Sequence, residues 1–304
     1  MANETNAAAV TEIVNSEWIR PVINQAAKAR AVTAQFALEI SLIGKGTNQV
    51  ALPQEISDVQ DSTMRDAIDA TEGADLANTS WETTEATLNT TEYGILRRVT
   101  DNADEDNILG AGGLFNAIVM SGGRDMAVVL EDDMASLLDA FATTVGATTV
   151  DLSIANLVQA FASLRDNNMP AEDGVALVLG SQQATDYDAA VAASTGTQLA
   201  RYITKGEADN GLNGQLGTFM TAPVVTTSLS DTANAGADTT GALIIRGDNG
   251  RNPESAALAV AVSRNVRVEM DRSAKGRGTD VVITQRKGVS ESVDLSGVSV
   301  ITDA

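Results

Sequence analysis

The sequence predicts an α+β fold in which helices and strands are grouped along the chain rather than alternating as regular βαβ units. Three observations predict it. Met126, Val129, Leu130, Met134, Leu137, Leu138 and Phe141 recur at helical spacing and form one apolar stripe about four turns long. Residues 256–303 are mostly strand-forming: 257–262 and 281–283 are apolar, Val266, Val268 and Met270 alternate with charged residues, and a Gly-rich turn lies at Lys275-Gly276-Arg277-Gly278. Between them, 150–250 mixes short helices and strands and reads as a compact αβ lobe.

Taken in order, residues 5–30 carry Val10, Ile13, Val14, Trp18, Val22 and Ile23 at helical spacing, interrupted at Pro21, which predicts a bent helical arm. Residues 36–56 look extended through Phe36, Leu38, Ile40 and Leu42, with a turn at Gly44-Lys45-Gly46. A polar stretch follows, with a short helix expected near 64–68. Residues 82–99 return as a Thr-rich strand. The segment 45–98 is thus expected to be a long polar hairpin with little core of its own. A helix is expected over 104–121 behind the acidic cap Asp104-Glu105-Asp106, with a break or kink at Gly122-Gly123 before the stripe of 126–141. In the lobe, Ile154, Leu157, Val158, Phe161 and Leu164 predict a helix ended before Pro170. A buried strand at 175–179, a helix at 182–193, a polar loop at 205–215 and strands at 218–220, 224–227 and 242–245 follow. No repeat of 20–50 residues is present.

Composition removes several function classes. The 304 residues contain no Cys and no His, so disulfides, thiolate sites, the commonest general base and the commonest zinc ligand are excluded. The formal net charge is −21, from 20 Lys and Arg against 41 Asp and Glu. Such a surface repels nucleic acid and does not suit a DNA-binding module, although it suits a wall that holds DNA without gripping it. No apolar run reaches the roughly 18–20 residues of a membrane helix, and the N-terminus lacks the pattern of a secretory signal. Aromatic residues are only 3%, so aliphatic side chains must do the packing.

No motif assigns a catalytic, cofactor-binding or metal-binding residue. Gly110-Ala111-Gly112-Gly113 has neither the preceding strand nor the Lys of a phosphate loop. Asp101-Asn102-Ala103-Asp104-Glu105-Asp106 fails the calcium-loop spacing and reads as a solvated turn and helix cap. Glu131-Asp132-Asp133 falls beside the apolar stripe and reads as the wet or subunit-facing side of that helix. Arg97, Arg98, Arg264, Arg267, Arg272, Arg277, Arg286 and Lys287 fit either pairing with the acidic excess of the same chain or ion pairs between subunits.

The order of these parts resembles the tailed-bacteriophage major capsid proteins, the Hong Kong ninety-seven type fold. Residues 90–99 look like the descending strand of its extended loop and 126–141 like its spine helix. Residues 157–181 resemble the helix, turn and strand opening its axial domain, 216–226 the strand pair within it, and 257–271 the strands returning to the peripheral domain. The resemblance implies an N-terminal arm (1–44), an extended β-hairpin loop (45–98), a peripheral domain with a long spine helix (99–149 and 256–304) and an axial αβ domain (150–255). It implies a non-enzymatic protein that assembles with itself, as pentamers and hexamers, into an icosahedral shell around double-stranded DNA without sequence-specific binding. Portal, scaffolding and decoration proteins would be its partners, the host bacterial cytoplasm its place of assembly and the virion capsid its destination. No cofactor and no membrane are implied. Since the chain starts almost at the arm, scaffolding is expected from a separate protein. Some members cross-link a loop lysine to a neighbour's Asn. Lys45 is the only lysine in 32–204, and such a link is not expected here because both groups must be placed closely. Loop 205–215 is a candidate rim around the five- and six-fold positions, and Gly44, Gly46, Gly122 and Gly123 are candidate hinges. Two alternatives remain: an encapsulin-type compartment within the same fold, and a carboxylate-dependent hydrolase outside it.

Overall fold

The computed structural model describes residues 31–55, 83–105, 113–167, 174–193, 203–205, 215–229, 232–233, 238–247 and 255–303. The helical arm read over 5–30, the helix near 64–68, Gly110-Ala111-Gly112, Pro170 and nearly all of loop 205–215 lie outside the described residues.

A 3-10 turn at Thr33–Phe36 is followed by β1 (Leu38–Ser41), β2 (Gln49–Glu55), β3 (Thr83–Asn89) and β4 (Thr91–Thr100). Then come α1 (Asp101–Glu105), α2 (Gly113–Ala135), β5 (Thr144–Gly146), α3 (Ile154–Asp166), β6 (Val175–Gly180) and α4 (Ser181–Ala193). The strands β7 (Ile203–Lys205), β8 (Gln215–Phe219), β9 (Ala222–Thr227), β10 (Thr232–Ala233) and β11 (Asp238–Ile245) continue the lobe. The chain closes with β12 (Leu258–Ser273), β13 (Gly278–Glu291), a 3-10 turn at Asp294–Ser296 and β14 (Gly297–Asp303).

The described strands form three sheets. The largest runs β5-β14-β11-β6-β9-β8-β7, with β10 added to β11. Its central strand β6 reads Val-Ala-Leu-Val-Leu-Gly and is buried throughout, because both its faces are covered. Val175, Leu177 and Leu179 pack with Leu157, Phe161 and Leu164 of α3 and with Tyr187 of α4. Ala176 and Val178 pack on the other side with Phe36, Met134, Leu138, Phe141 and Leu258. Ser153 caps α3 by accepting from the Asn156 N–H at 3.2 Å. Met220 and Thr221 take positive φ in the two-residue turn between β8 and β9, which matches the twist of a tight hairpin.

The second sheet, β1-β12-β13-β4, carries α2 on one face. Along β13 every second residue (Val281, Ile283) turns toward Val119 and Met126 of the helix. Here the structure corrects the sequence reading. Gly122-Gly123 does not break the helix; α2 runs unbroken from Gly113 to Ala135. Gly122 lies where α2 crosses β13, and a Cβ there would run into Cδ1 of Ile283. The glycine serves close approach. Of the helix expected over 104–121, Asp104 and Glu105 end α1 and 113–121 begin α2, and 106–112 lie outside the described residues. The stripe of 126–141 outlasts the helix. After Ala135 the chain tightens into i→i−3 bonds, Leu137 N to Met134 O (3.2 Å) and Leu138 N to Ala135 O (3.1 Å), which keep Leu138 and Phe141 in the same core.

The third sheet is the hairpin β2-β3, paired from Gln49 with Asn89 to Glu55 with Thr83. The strand read over 82–99 is two strands: β3 stays with β2, while β4 leaves at Thr90 and pairs along β13 from Thr91 to Thr100. The hairpin also has a small core at its base, where Leu42 and Leu88 are buried on Ala259 and Ala261 of β12. The last strand departs from its expected grouping with 256–296. β14 crosses over and inserts between β5 and β11 of the large sheet, because its alternate residues Val298 and Val300 complete the core under α3.

Candidate assembly scaffold

Helix α2 is the member to which the other parts are tied. Its Glu131, read from sequence as wet or subunit-facing, is 3% exposed. The carboxylate accepts from the Val32 N–H (2.8 Å), from the Thr33 N–H (3.0 and 2.9 Å) and from the Thr33 hydroxyl (2.7 Å). Val32 has no side-chain cap for the 3-10 turn it precedes. A carboxylate 98 residues away in sequence supplies that cap and satisfies donors that burial would otherwise leave unpaired. The point at which residues 1–30 join the folded body is thereby fixed to α2. Asp132 is exposed, as expected. Asp133 is half-buried and accepts from the Tyr93 hydroxyl at 2.9 Å, tying β4 to the helix. Burial, more than the neighbouring Asp133, pushes the Tyr93 hydroxyl above its usual pKa.

A lysine completes this contact. Lys287 of β13 is 1% exposed. Its Nζ donates to the Met126 carbonyl at 3.0 Å and lies 5.2 Å from the centre of the Tyr93 ring. Burial pushes the amine down to about 8, and the Asp133 carboxylate opposes this only in part. The sequence reading placed Lys287 among surface cations. The alternation that carries Val281, Ile283 and Gln285 to the helix-facing side carries Lys287 there too, and that periodicity is the signal that was missed.

Five arginines of this sheet pair with acids of the same chain. Arg97 pairs with Asp125 of α2, and Arg264 with Glu92 across the sheet. Arg98 meets Asp280 through two bonds of 2.5 and 2.6 Å. Arg267 pairs with Glu269 at 2.5 Å, and Arg272 with Asp101 at 2.8 and 3.1 Å. The bonded guanidinium holds Asp280 and Asp101 below the usual carboxylate range. For these five the expected pairing with acids of the same chain is present. Asp101, expected in a solvated cap, is the partner of Arg272.

Other features face outward. Leu96 of β4, an edge strand, is 66% exposed beside Val282, on the sheet face away from α2. Met120 and Val128 lie on the exposed side of α2, with Arg124 between them at helical spacing. Gly44 and Gly46 take positive φ in an open turn, and Lys45 is exposed between them. Among the described residues no three Asp or Glu side chains converge as metal ligands, and no helix is long and apolar enough to cross a membrane.

No protein-family model matches the chain, and no curated protein matches it in sequence. Solved structures do match it in shape. A chain from the capsid of the cyanophage P-SCSP1u superposes with a TM-score of 0.65 at 11% identity, over 90% of this chain and 89% of that one. A chain from Mycobacterium phage Che8 gives 0.63 at 17% identity, over 90% and 91%. A virus-like particle from Pyrococcus furiosus gives 0.57 at 11% identity, over 93% and 98%. With its three sheets, long α2 and crossing last strand, the chain has the α+β fold of the phage major capsid proteins.

Proposed function

We propose that this protein is the major capsid protein of a tailed phage, building an icosahedral shell around double-stranded DNA. The observation that carries the reading is a fold shared with phage capsid chains over about nine-tenths of both chains. The anatomy supports it. Among the described residues the β2-β3 hairpin packs at its base, where Val50, Leu52 and Leu88 meet Leu42 and Ala259 and Ala261 of β12, so the rest of its length serves best against a neighbouring subunit. Shell stability then comes from many repeated interfaces and depends on subunit concentration. With a net charge of −21, the wall contains DNA without binding it. The proposed division is an arm up to 44, an extended loop within 45–98, a peripheral part built on α2 and the four-stranded sheet, and an axial part built on the eight-stranded sheet. The role is structural and non-catalytic, and the destination is the virion capsid after assembly in the host bacterial cytoplasm. Portal, scaffolding and decoration proteins are the proposed partners.

The likeness to the Pyrococcus furiosus virus-like particle favours a second reading, a protein compartment shell of the encapsulin type. One experiment addresses both. The full chain is expressed with and without its neighbouring genes and viewed by electron microscopy, with sedimentation alongside. Closed shells tens of nanometres across are expected. Terminase and portal genes beside its own gene select the phage reading, and a packaged enzyme selects the compartment. A compact monomer under every condition, resistant to protease through 45–98, overturns both.

A further inference from the structure

Lys287 is a buried cation without a bonded anion. Its amine meets a main-chain carbonyl on α2, the Met126 oxygen at 3.0 Å, and the face of Tyr93 on β4. The charged groups of the surrounding elements are otherwise engaged. On α2, Asp125 pairs with Arg97, Glu131 holds Val32 and Thr33, and Arg124 and Asp132 face solvent. Asp133 accepts from Tyr93 and is the one carboxylate that acts on Lys287. On β4, Glu92 pairs with Arg264 of β12. On β12 the residue opposite Lys287 is the apolar Val262, and its neighbour on β13, Arg286, lies opposite Arg264. The charged form is therefore desolvated without matching compensation. The cost is removed in two ways: the amine loses its proton, or α2 lifts and water reaches it.

We propose that Lys287 is a proton-linked latch between α2 and the four-stranded sheet: lifting the helix off the sheet takes up a proton on this amine, so alkaline conditions fasten the helix down and neutral conditions leave it easier to lift. The sign follows from linkage. The packed lysine titrates at about 8 and the freed lysine at 10.5, so between these values the open form carries the extra proton and opening becomes less favourable as pH rises. Tyr93 does not compete in most of this window, because its hydroxyl is pushed above 10. Since Glu131 and Asp133 hang the arm root and β4 on the same helix, the latch governs how freely those parts shift together. The latch lies within one subunit and does not depend on whether the chain builds a shell.

The chain has no cysteine, so one introduced thiol is a unique probe. Val119→Cys places it on α2 facing the sheet, at a buried and nearly isosteric position. Val178→Cys places a control in the large sheet. Iodoacetamide labelling of the full chain is followed from pH 7 to 10 and normalised to the same chain in urea, which yields the opening constant at each site. At the α2 site it is expected to fall by up to about tenfold per pH unit above 8. In the Lys287→Met background it is expected to be flat, and at the control site flat in both. Asp133→Asn, which keeps the lysine and removes the one nearby carboxylate, is expected to start the fall at lower pH. It also keeps the test decisive should Lys287→Met fail to fold. A flat profile at the α2 site with Lys287 present, the same slope after Lys287→Met, or an equal slope at the control site overturns the latch.

Discussion

At Gly122 a missing side chain lets α2 settle on β13, and at Lys287 a charged one is taken underneath it. Both depend on a helix and a strand about 160 residues apart. Two glycines in mid-helix each cost about 1 kcal/mol in propensity, which reads locally as a break. Only the crossing shows the compensation. Gly122→Ala is expected to destabilise the folded chain by about 1–3 kcal/mol through overpacking on Ile283. Ile283→Val removes the Cδ1 that the new methyl meets, so the double variant should recover part of the loss. Urea unfolding midpoints of the two single variants and the double variant check this; strict additivity would show that Gly122 is not a packing glycine. Glu131 follows the same logic. Its position was legible but its burial was not, because the donors it satisfies belong to Val32 and Thr33, far away in sequence.

Among the elements, those with a pattern of their own were legible. The β6 run, the α3 stripe, and the Gly44-to-Gly46 and Lys275-to-Gly278 turns were all readable from period and turn chemistry. The end of α2 was not, since apolar spacing continues through the 3-10 turns after Ala135 and periodicity does not register a change of hydrogen bonding. The split of 82–99 into β3 and β4 was also hidden, because one extended chain can change partners without changing its pattern. Leu88 and Leu96 make that split testable. Leu88 is fully buried in the hairpin base and Leu96 is two-thirds exposed on the edge strand. Leu88→Ala is expected to cost about 2–5 kcal/mol of folding stability, and Leu96→Ala less than about 0.5 kcal/mol. Denaturant unfolding of the dissociated subunit measures both. Equal effects would contradict the placement of the hairpin base. If Leu96 meets a neighbour, its loss should appear in assembly yield instead.

For the whole molecule the decisive feature is the crossover between the two large sheets. β13 ends at Glu291 in one sheet and β14 begins at Gly297 in the other. Between them Asp294 accepts from the Ala142 N–H at 2.7 Å, tying the crossover to the segment that leads from α2 to β5. Gly297 lies against the Phe141 ring, where a side chain would not fit. Burial, reinforced by Asp294, pushes the Glu291 carboxyl up to about 7 from 4.5. The folded state therefore keeps a proton that the unfolded chain releases. The resulting stability is complete below 4.5 and is lost as pH rises toward 7. Glu291→Gln should flatten the fall of the unfolding midpoint across that window. A variant with the unchanged wild-type slope would assign the pH dependence to other groups.

The sequence by itself determined the fold class, most elements, and the exclusion of thiol and imidazole chemistry, because composition, period and turn residues act locally. The order of those elements carried the resemblance to a capsid fold. The tertiary structure alone decided that β14 leaves its neighbours for the large sheet, that Gly122 is a packing position, and that Glu131 and Lys287 lie inside. Each of these depends on what a residue meets across the fold, and desolvation and close packing are set by that partner, not by sequence neighbours.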